Sequence, residues 1–135
     1  MTGATCDTSV LIAAFMPSHP RHTDAREAVD SRVTAVISHV LLETFSVLTR
    51  LPAPHRFKPM DVAGAIDGLP WEPLTLPASA QAELPRHLAS SGIGGGSIYD
   101  GLIAATAEHH GLMLLTLDTR ARATYEALQT RYEVL

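Results

Sequence analysis

A chain of 135 residues with a formal net charge of −4 at pH 7 and 46% hydrophobic residues has one domain's length and enough apolar sequence for one core. This balance excludes global disorder and a protein that coats nucleic acid by charge alone, which would be basic. With no run near the roughly 20 apolar residues of a membrane span, no secretory pattern at the N-terminus and Cys6 as the single cysteine, a cytoplasmic protein without disulfides or a cysteine-based zinc site is expected.

In chain order, Gly3 to Cys6 is a short apolar run that stops at Asp7. Thr8 and Ser9 are helix-starting hydroxyls, and Val10 to Phe15 reads as an apolar helix. Residues His22 to Asp30 form a mostly polar helical pattern with Ala25, Ala28 and Val29 as its apolar stripe. Arg32 to Ser38 is β-branched and reads as a strand. From His39 to Leu51, Leu41, Leu42, Phe45, Leu48 and Leu51 recur at helical spacing, and Pro52 and Pro54 end that helix. Pro59 to Leu69 is a helix opened by proline, Trp71 to Leu76 a strand that Pro73 confines to an edge, and Pro77 to Ala89 a further helix.

Ser90 to Ser97 is glycine and serine apart from Ile93 and reads as a flexible loop. Ile98 to His110 is a helix with Gly111 at its stop position. Leu112 to Leu117 is an almost wholly apolar strand, as in a parallel sheet covered on both faces, and it runs into Asp118. Thr119 to Leu128 is a helix and Arg131 to Leu135 a last strand. Strands separated by helices need crossover connections, so the expected architecture is α/β, a mostly parallel sheet between helical layers in one domain over residues 1–135.

Four acids stand apart from the other carboxylates. Asp7 and Asp118 end strands of a parallel sheet and therefore lie at one edge of it; taken singly, each is also a good helix cap. Asp100 completes the capping-box pattern Ser97-Ile-Tyr-Asp, yet it shares a face with Ile103, Ala104 and Ala107, where a carboxylate needs a partner. Glu43 lies among apolar or small neighbours, with Val47 and Arg50 on its own face, and likewise needs a partner. Four converging carboxylates are tolerable at neutral pH only if cations neutralise them or some stay protonated. An all-oxygen set suits Mg²⁺ or Mn²⁺, and the chemistry it favours is metal-dependent hydrolysis of a phosphodiester.

Asp7-Thr-Ser-Val-Leu-Ile, Glu43 in its apolar helix, Tyr99-Asp-Gly-Leu-Ile-Ala-Ala-Thr106 and Thr116-Leu-Asp-Thr119 resemble the acidic motifs of PIN domains, and more narrowly those of VapC-type toxins of bacterial toxin–antitoxin pairs. The resemblance covers essentially the whole chain. It implies a three-layer α/β/α fold with a five-stranded sheet, and a Mg²⁺- or Mn²⁺-dependent endoribonuclease that forms a homodimer and is blocked by a cognate antitoxin. Residue by residue it implies Asp7 and Asp100 as metal ligands, Asp118 helping to hold metal, and Glu43 orienting the attacking water or completing the coordination. Thr116 matches a hydroxyl residue placed just before the last acid. No acid follows Asp118 until Glu126, a departure that weighs against a fully occupied second metal site. Arg120 and Arg122 would contact RNA phosphates or cover a solvated helix face.

Two other readings use the same acids. A phosphoacceptor signalling domain needs an acid at a strand end, a paired acid early in the chain and a lysine at a late strand end; Lys58, the only lysine, lies mid-chain. A non-catalytic binding module would use the acids only as caps.

Overall fold

The computed structural model describes residues 3–135. The elements follow in the order β1 (Ala4–Cys6), α1 (Thr8–Phe15), α2 (His22–Ser31), β2 (Val36–Ile37), α3 (Ser38–Thr49), α4 (Pro59–Asp67), β3 (Pro73–Leu74), α5 (Ala78–Ser90), α6 (Ile98–His109), β4 (Met113–Thr116), α7 (Arg122–Ala127) and β5 (Tyr132–Val134). Short 3₁₀ turns at Gly95–Ser97 and Thr119–Ala121 lead into α6 and α7.

All strand pairs are parallel. β1 pairs with β4 and β4 with β5, β2 pairs with β3, and a parallel bridge between Ala4 and Val33 joins the two groups. The sheet thus runs β3-β2-β1-β4-β5, the five-stranded parallel arrangement expected. β1 through β3 are laid down in one direction, and the chain then crosses back to place β4 on the other side of β1. With right-handed crossovers this puts α1 to α4 on one face and α5 to α7 on the other. The helix contacts agree, since α1 packs on α2 and α3, α3 on α4, and α6 on α5 and α7. The strand order therefore reverses between β1 and β4, where open α/β sheets leave a crevice outside the strand ends.

The core is what the apolar runs dictate. Cys6, Val10, Leu11, Val36, Ile37, Val40, Ile103, Leu114 and Leu115 are buried in one cluster spanning both faces of the sheet. A smaller cluster of Leu76, Leu84 and Leu88 lies beneath α5 and α6. Gly101 permits the approach of these two helices, because a Cβ there would lie 2.5 Å from Leu88 Cδ2.

Several elements are shorter than their sequence pattern. The stretch 32–38 contributes only Val36–Ile37 and the Val33 bridge. Thr34 intervenes, its amide donating to the Ala4 carbonyl and its hydroxyl accepting from the Ala4 amide. β3 is two residues at the sheet edge, as a strand containing Pro73 must be. The Gly/Ser stretch is less of a loop than its composition predicts, because α5 runs to Ser90 and the 3₁₀ turn begins at Gly95. Among the described residues no helix is long and apolar enough to cross a membrane.

Gly111 ends α6 with φ of +68° and hands the chain to β4. Left-handed backbone costs an L-residue about 1–2 kcal/mol, so Gly111→Ala is expected to lower stability by about 1 kcal/mol, read as a lower urea midpoint with an unchanged slope. Gly111→Asn should lose less, because Asn visits that region more readily.

Candidate metal centre at the sheet switch point

Asp7 and Asp118 follow β1 and β4, adjacent strands on either side of the reversal. The register places Cys6 opposite Leu115, and the Asp7 amide extends the ladder by donating to the Leu115 carbonyl at 3.0 Å. The cap reading holds for both acids: Asp7 accepts from the Ser9 amide and Asp118 from the Arg120 amide. Capping does not exhaust Asp7, however.

Its carboxylate is 3% exposed and receives four donors. One oxygen accepts from the Ser9 amide at 3.1 Å and from the Ser9 hydroxyl. The other accepts from the Thr116 hydroxyl and from the Tyr125 phenol at 2.7 Å. Two of these hydroxyls are themselves anchored. Ser9 Oγ accepts from the Leu117 amide and Thr116 Oγ1 from the Asp118 amide, both at 2.9 Å. The segment leaving β4 is thus tied to Asp7 through two amide–hydroxyl–carboxylate links, which fix where Asp118 begins. Burial pushes the Asp7 carboxyl above its ordinary range, and the Ser9, Thr116 and Tyr125 hydrogen bonds oppose that rise. Burial and the Asp7 charge drive the Tyr125 phenol far up, so it remains a neutral donor.

The helical acids arrive from the two faces of the sheet. Glu43, on α3, accepts from the Thr8 hydroxyl at 2.7 Å, and Thr8 adjoins Asp7. His39, one turn earlier, places Nε2 3.6 Å from the same Glu43 oxygen. Arg50, on the same sequence face as Glu43, follows α3 as an exposed cap residue and makes no pair with it. Asp100 lies half-buried in the first turn of α6. The capping box expected there does not form: Ser97 has helical backbone and makes no side-chain cap hydrogen bond. Its carboxyl is pushed up to about 6, first by burial, then by the charges of Asp7, Asp118 and Glu43, with Arg120 opposing. The charges of the other three acids thus reach Asp100.

The donor set fits a hard divalent cation. The groups are oxygens, and negative charge is in excess. The neighbouring soft atom, the Cys6 thiol, is buried and held protonated, first by burial and then by the Asp7 charge. Among the described residues no three His, Cys, Asp or Glu side chains stand in ligating geometry. The Asp7 oxygens are occupied by hydroxyls and amides, so ligation would require a hydroxyl to yield. Arg120 projects into solvent beside Asp118, its Nε 3.5 Å from that carboxylate. Arg122 turns away from the crevice toward Tyr132 and Glu126. A mostly apolar groove of about 520 Å³ runs beside α3, lined by residues including Leu41, Leu42, Phe45, Ile66, Leu74 and His39.

Sequence reasoning passed over Ser9 as a helix starter and did not single out Tyr125 or His39. A buried tyrosine needs a partner for its hydroxyl, and a polar ring among the apolar residues of the α7 pattern was the available signal.

The family profile described as PIN domain matches residues 4–127. Ribonuclease VapC40 of Mycobacterium tuberculosis is 43% identical over 130 residues, 96% of both chains. Ribonuclease VapC27 of the same organism is 41% identical over 122 residues, 90% of this chain and 89% of that one. Among solved structures, a DNA-bound VapBC from Salmonella typhimurium superposes with a TM-score of 0.68 at 24% identity, covering 99% of this chain and 98% of that one. VapBC-5 from Mycobacterium tuberculosis gives 0.59 at 24% identity, covering 100% and 98%.

Two outcomes follow for the protein without metal. The folded Asp100 value of about 6 lies above the ordinary 3.8, so ionising Asp100 costs the folded state stability as pH rises from about 4 to about 6. Asp100→Asn is expected to raise stability at pH 7.5 by about 1 kcal/mol after solvent screening of a half-exposed group, and to give no gain near pH 3; thermal melts at both pH values check this. Tyr125→Phe removes a donor from a buried carboxylate, and a loss of about 1.5–3 kcal/mol at pH 7.5 is expected in urea unfolding.

Proposed function

The chain belongs to the PIN-domain family, and from that premise we propose that it is a metal-dependent endoribonuclease, the toxin of a toxin–antitoxin pair, acting as a single nuclease domain. The observation that carries this reading is the position of Asp7 and Asp118 just beyond the adjacent strands β1 and β4 at the sheet reversal, with their charges and that of Glu43 acting on Asp100. Support also comes from relatives named ribonucleases at 43% and 41% identity over most of both chains and from the VapBC complexes that share the fold. The partner is accordingly an antitoxin protein and the substrate RNA. A homodimer is the assembly we assign to the free toxin.

Asp7, Asp100 and Asp118 would hold the cation, with Asp7 the fixed member because its carboxylate is held from α1, β4 and α7. Mg²⁺ or Mn²⁺ is the ion that this oxygen set favours. When bound, such an ion supplies a more acidic water and offsets charge on the phosphoryl group. Glu43, partly exposed and hydrogen-bonded by Thr8, would orient the attacking water and accept its proton. Thr116 holds Asp7 and receives the Asp118 amide, so it acts as a positioning residue. Arg120, exposed beside Asp118, can meet a phosphate of the incoming strand, whereas Arg122 is engaged with Tyr132. The phosphoacceptor alternative lacks its lysine, since Lys58 stands exposed at the start of α4. The cation that opposes the acids is Arg120.

Cleavage of bacterial total RNA in the presence of Mg²⁺ or Mn²⁺ tests this reading. EDTA should abolish cutting, and Asp7→Asn and Asp100→Asn should each lower the rate by at least about 100-fold, the scale seen when a charge-stabilising group is removed from an active site. Cutting that survives both chelation and Asp7→Asn contradicts it.

A further inference from the structure

The helices that carry Glu43 and Asp100 meet through an aromatic pair. The rings of His39 and Tyr99 lie 4° from parallel with centroids 5.5 Å apart. Tyr99 immediately precedes Asp100 on α6, and His39 stands one turn before Glu43 on α3. The two rings are not equally buried: the His39 side chain is 22% exposed, whereas Tyr99 is 51% exposed. His39 therefore backs one side of Tyr99, and half of the tyrosine surface stays open at the edge of the acidic crevice. His39 Nε2 is buried without a hydrogen bond, 3.6 Å from Glu43 Oε1, and the ring face meets Tyr99.

Such a surface answers a difficulty that the crevice creates. The protein is net negative, and the cation acting on Asp100 is Arg120, whose side chain is 93% exposed. Charge attraction is therefore a weak source of RNA affinity. Single-stranded RNA offers a second source, because every base has a face that stacks on an aromatic ring. We propose that Tyr99, backed by His39, is the stacking platform for a nucleobase next to the scissile phosphodiester. The assignment rests on the ribonuclease reading and names a substrate contact for the same site. The platform fixes one nucleotide relative to Asp100 and Glu43, so it selects unpaired RNA over duplex, whose bases are stacked on each other.

The test begins by mapping the RNA 5′ ends that the wild-type protein creates. A short single-stranded RNA centred on one such cut is then made in three forms: intact, abasic on the 5′ side of the cut, and abasic on the 3′ side. With the intact RNA, Tyr99→Leu should raise KM about tenfold, the scale of one lost base–aromatic stack, with the loss carried by KM rather than kcat. Tyr99→Phe, which keeps the ring, should recover most of that loss. One of the two abasic RNAs should penalise the wild-type protein to a similar degree, and Tyr99→Leu should add no further penalty on that RNA. Thermal melts of both variants should match the wild type, since Tyr99 is half exposed. Wild-type cleavage that is unaffected by Tyr99→Leu overturns the platform alone, as do penalties that multiply on both abasic RNAs. Cleavage left intact while antitoxin binding weakens assigns Tyr99 to a protein contact and likewise overturns it. A wild-type protein that cuts no RNA overturns both this assignment and the ribonuclease reading.

Discussion

The buried carboxylate of Asp7 is the constraint on which the rest of the structure depends. An ionised acid removed from water is costly unless its oxygens are hydrogen-bonded. Here the compensating donors come from three separate elements: Ser9 at the start of α1, Thr116 at the end of β4 and Tyr125 on α7. Satisfying one carboxylate therefore ties the first strand to the fourth and to the last helix. The fold and the site are one network at this point, because the hydroxyls that compensate Asp7 also receive the amides of Leu117 and Asp118. Removing a donor leaves a buried charge underpaired, so the consequences reach beyond the hydrogen bond lost.

The remaining acids pull the other way. Asp100 is raised to about 6, first by burial and then by the like charges of Asp7, Asp118 and Glu43. A fold optimised for stability alone would not place four carboxylates at the reversal between β1 and β4. Under the proposed function, a divalent cation would convert that repulsion into ligation, and the residues that weaken the metal-free protein would strengthen the loaded one. Stability and the proposed function are thus opposed at Asp100, while at Asp7 the hydroxyls that hold the carboxylate fix its position but one must yield to a bound cation.

The element order and the edge on which Asp7 and Asp118 lie were legible because parallel strands and crossover helices leave strong local patterns. Apolar runs ending on an acid report a strand end directly. What the sequence could not report were contacts between distant side chains. Tyr125 reaches Asp7 across 118 positions and Thr8 reaches Glu43 across 35, and neither separation has a periodic signature. The pattern Ser97-x-x-Asp100 pointed to a capping box, but the preceding 3₁₀ turn gives Ser97 helical backbone and takes away the extended geometry that a cap needs. Glu43 was correctly marked as needing a partner. Its hydrogen-bond donor lay on α1, with His39 of its own helix 3.6 Å away, and not at Arg50. Arg122, at the start of α7, instead meets Glu126 and Tyr132, the latter a contact ten residues along the chain that no local pattern reports.

The central claim is that Asp7, Asp100 and Asp118 hold one cation at the sheet reversal, beside Glu43. The most direct measurement is the anomalous scattering of crystals grown with Mn²⁺. The account predicts a manganese peak within direct oxygen-ligand distance, about 2.0–2.4 Å, of Asp7 and at least one of Asp100 and Asp118, and its disappearance in Asp7→Asn. A peak lying away from these acids, or one that persists unchanged in Asp7→Asn, would contradict it.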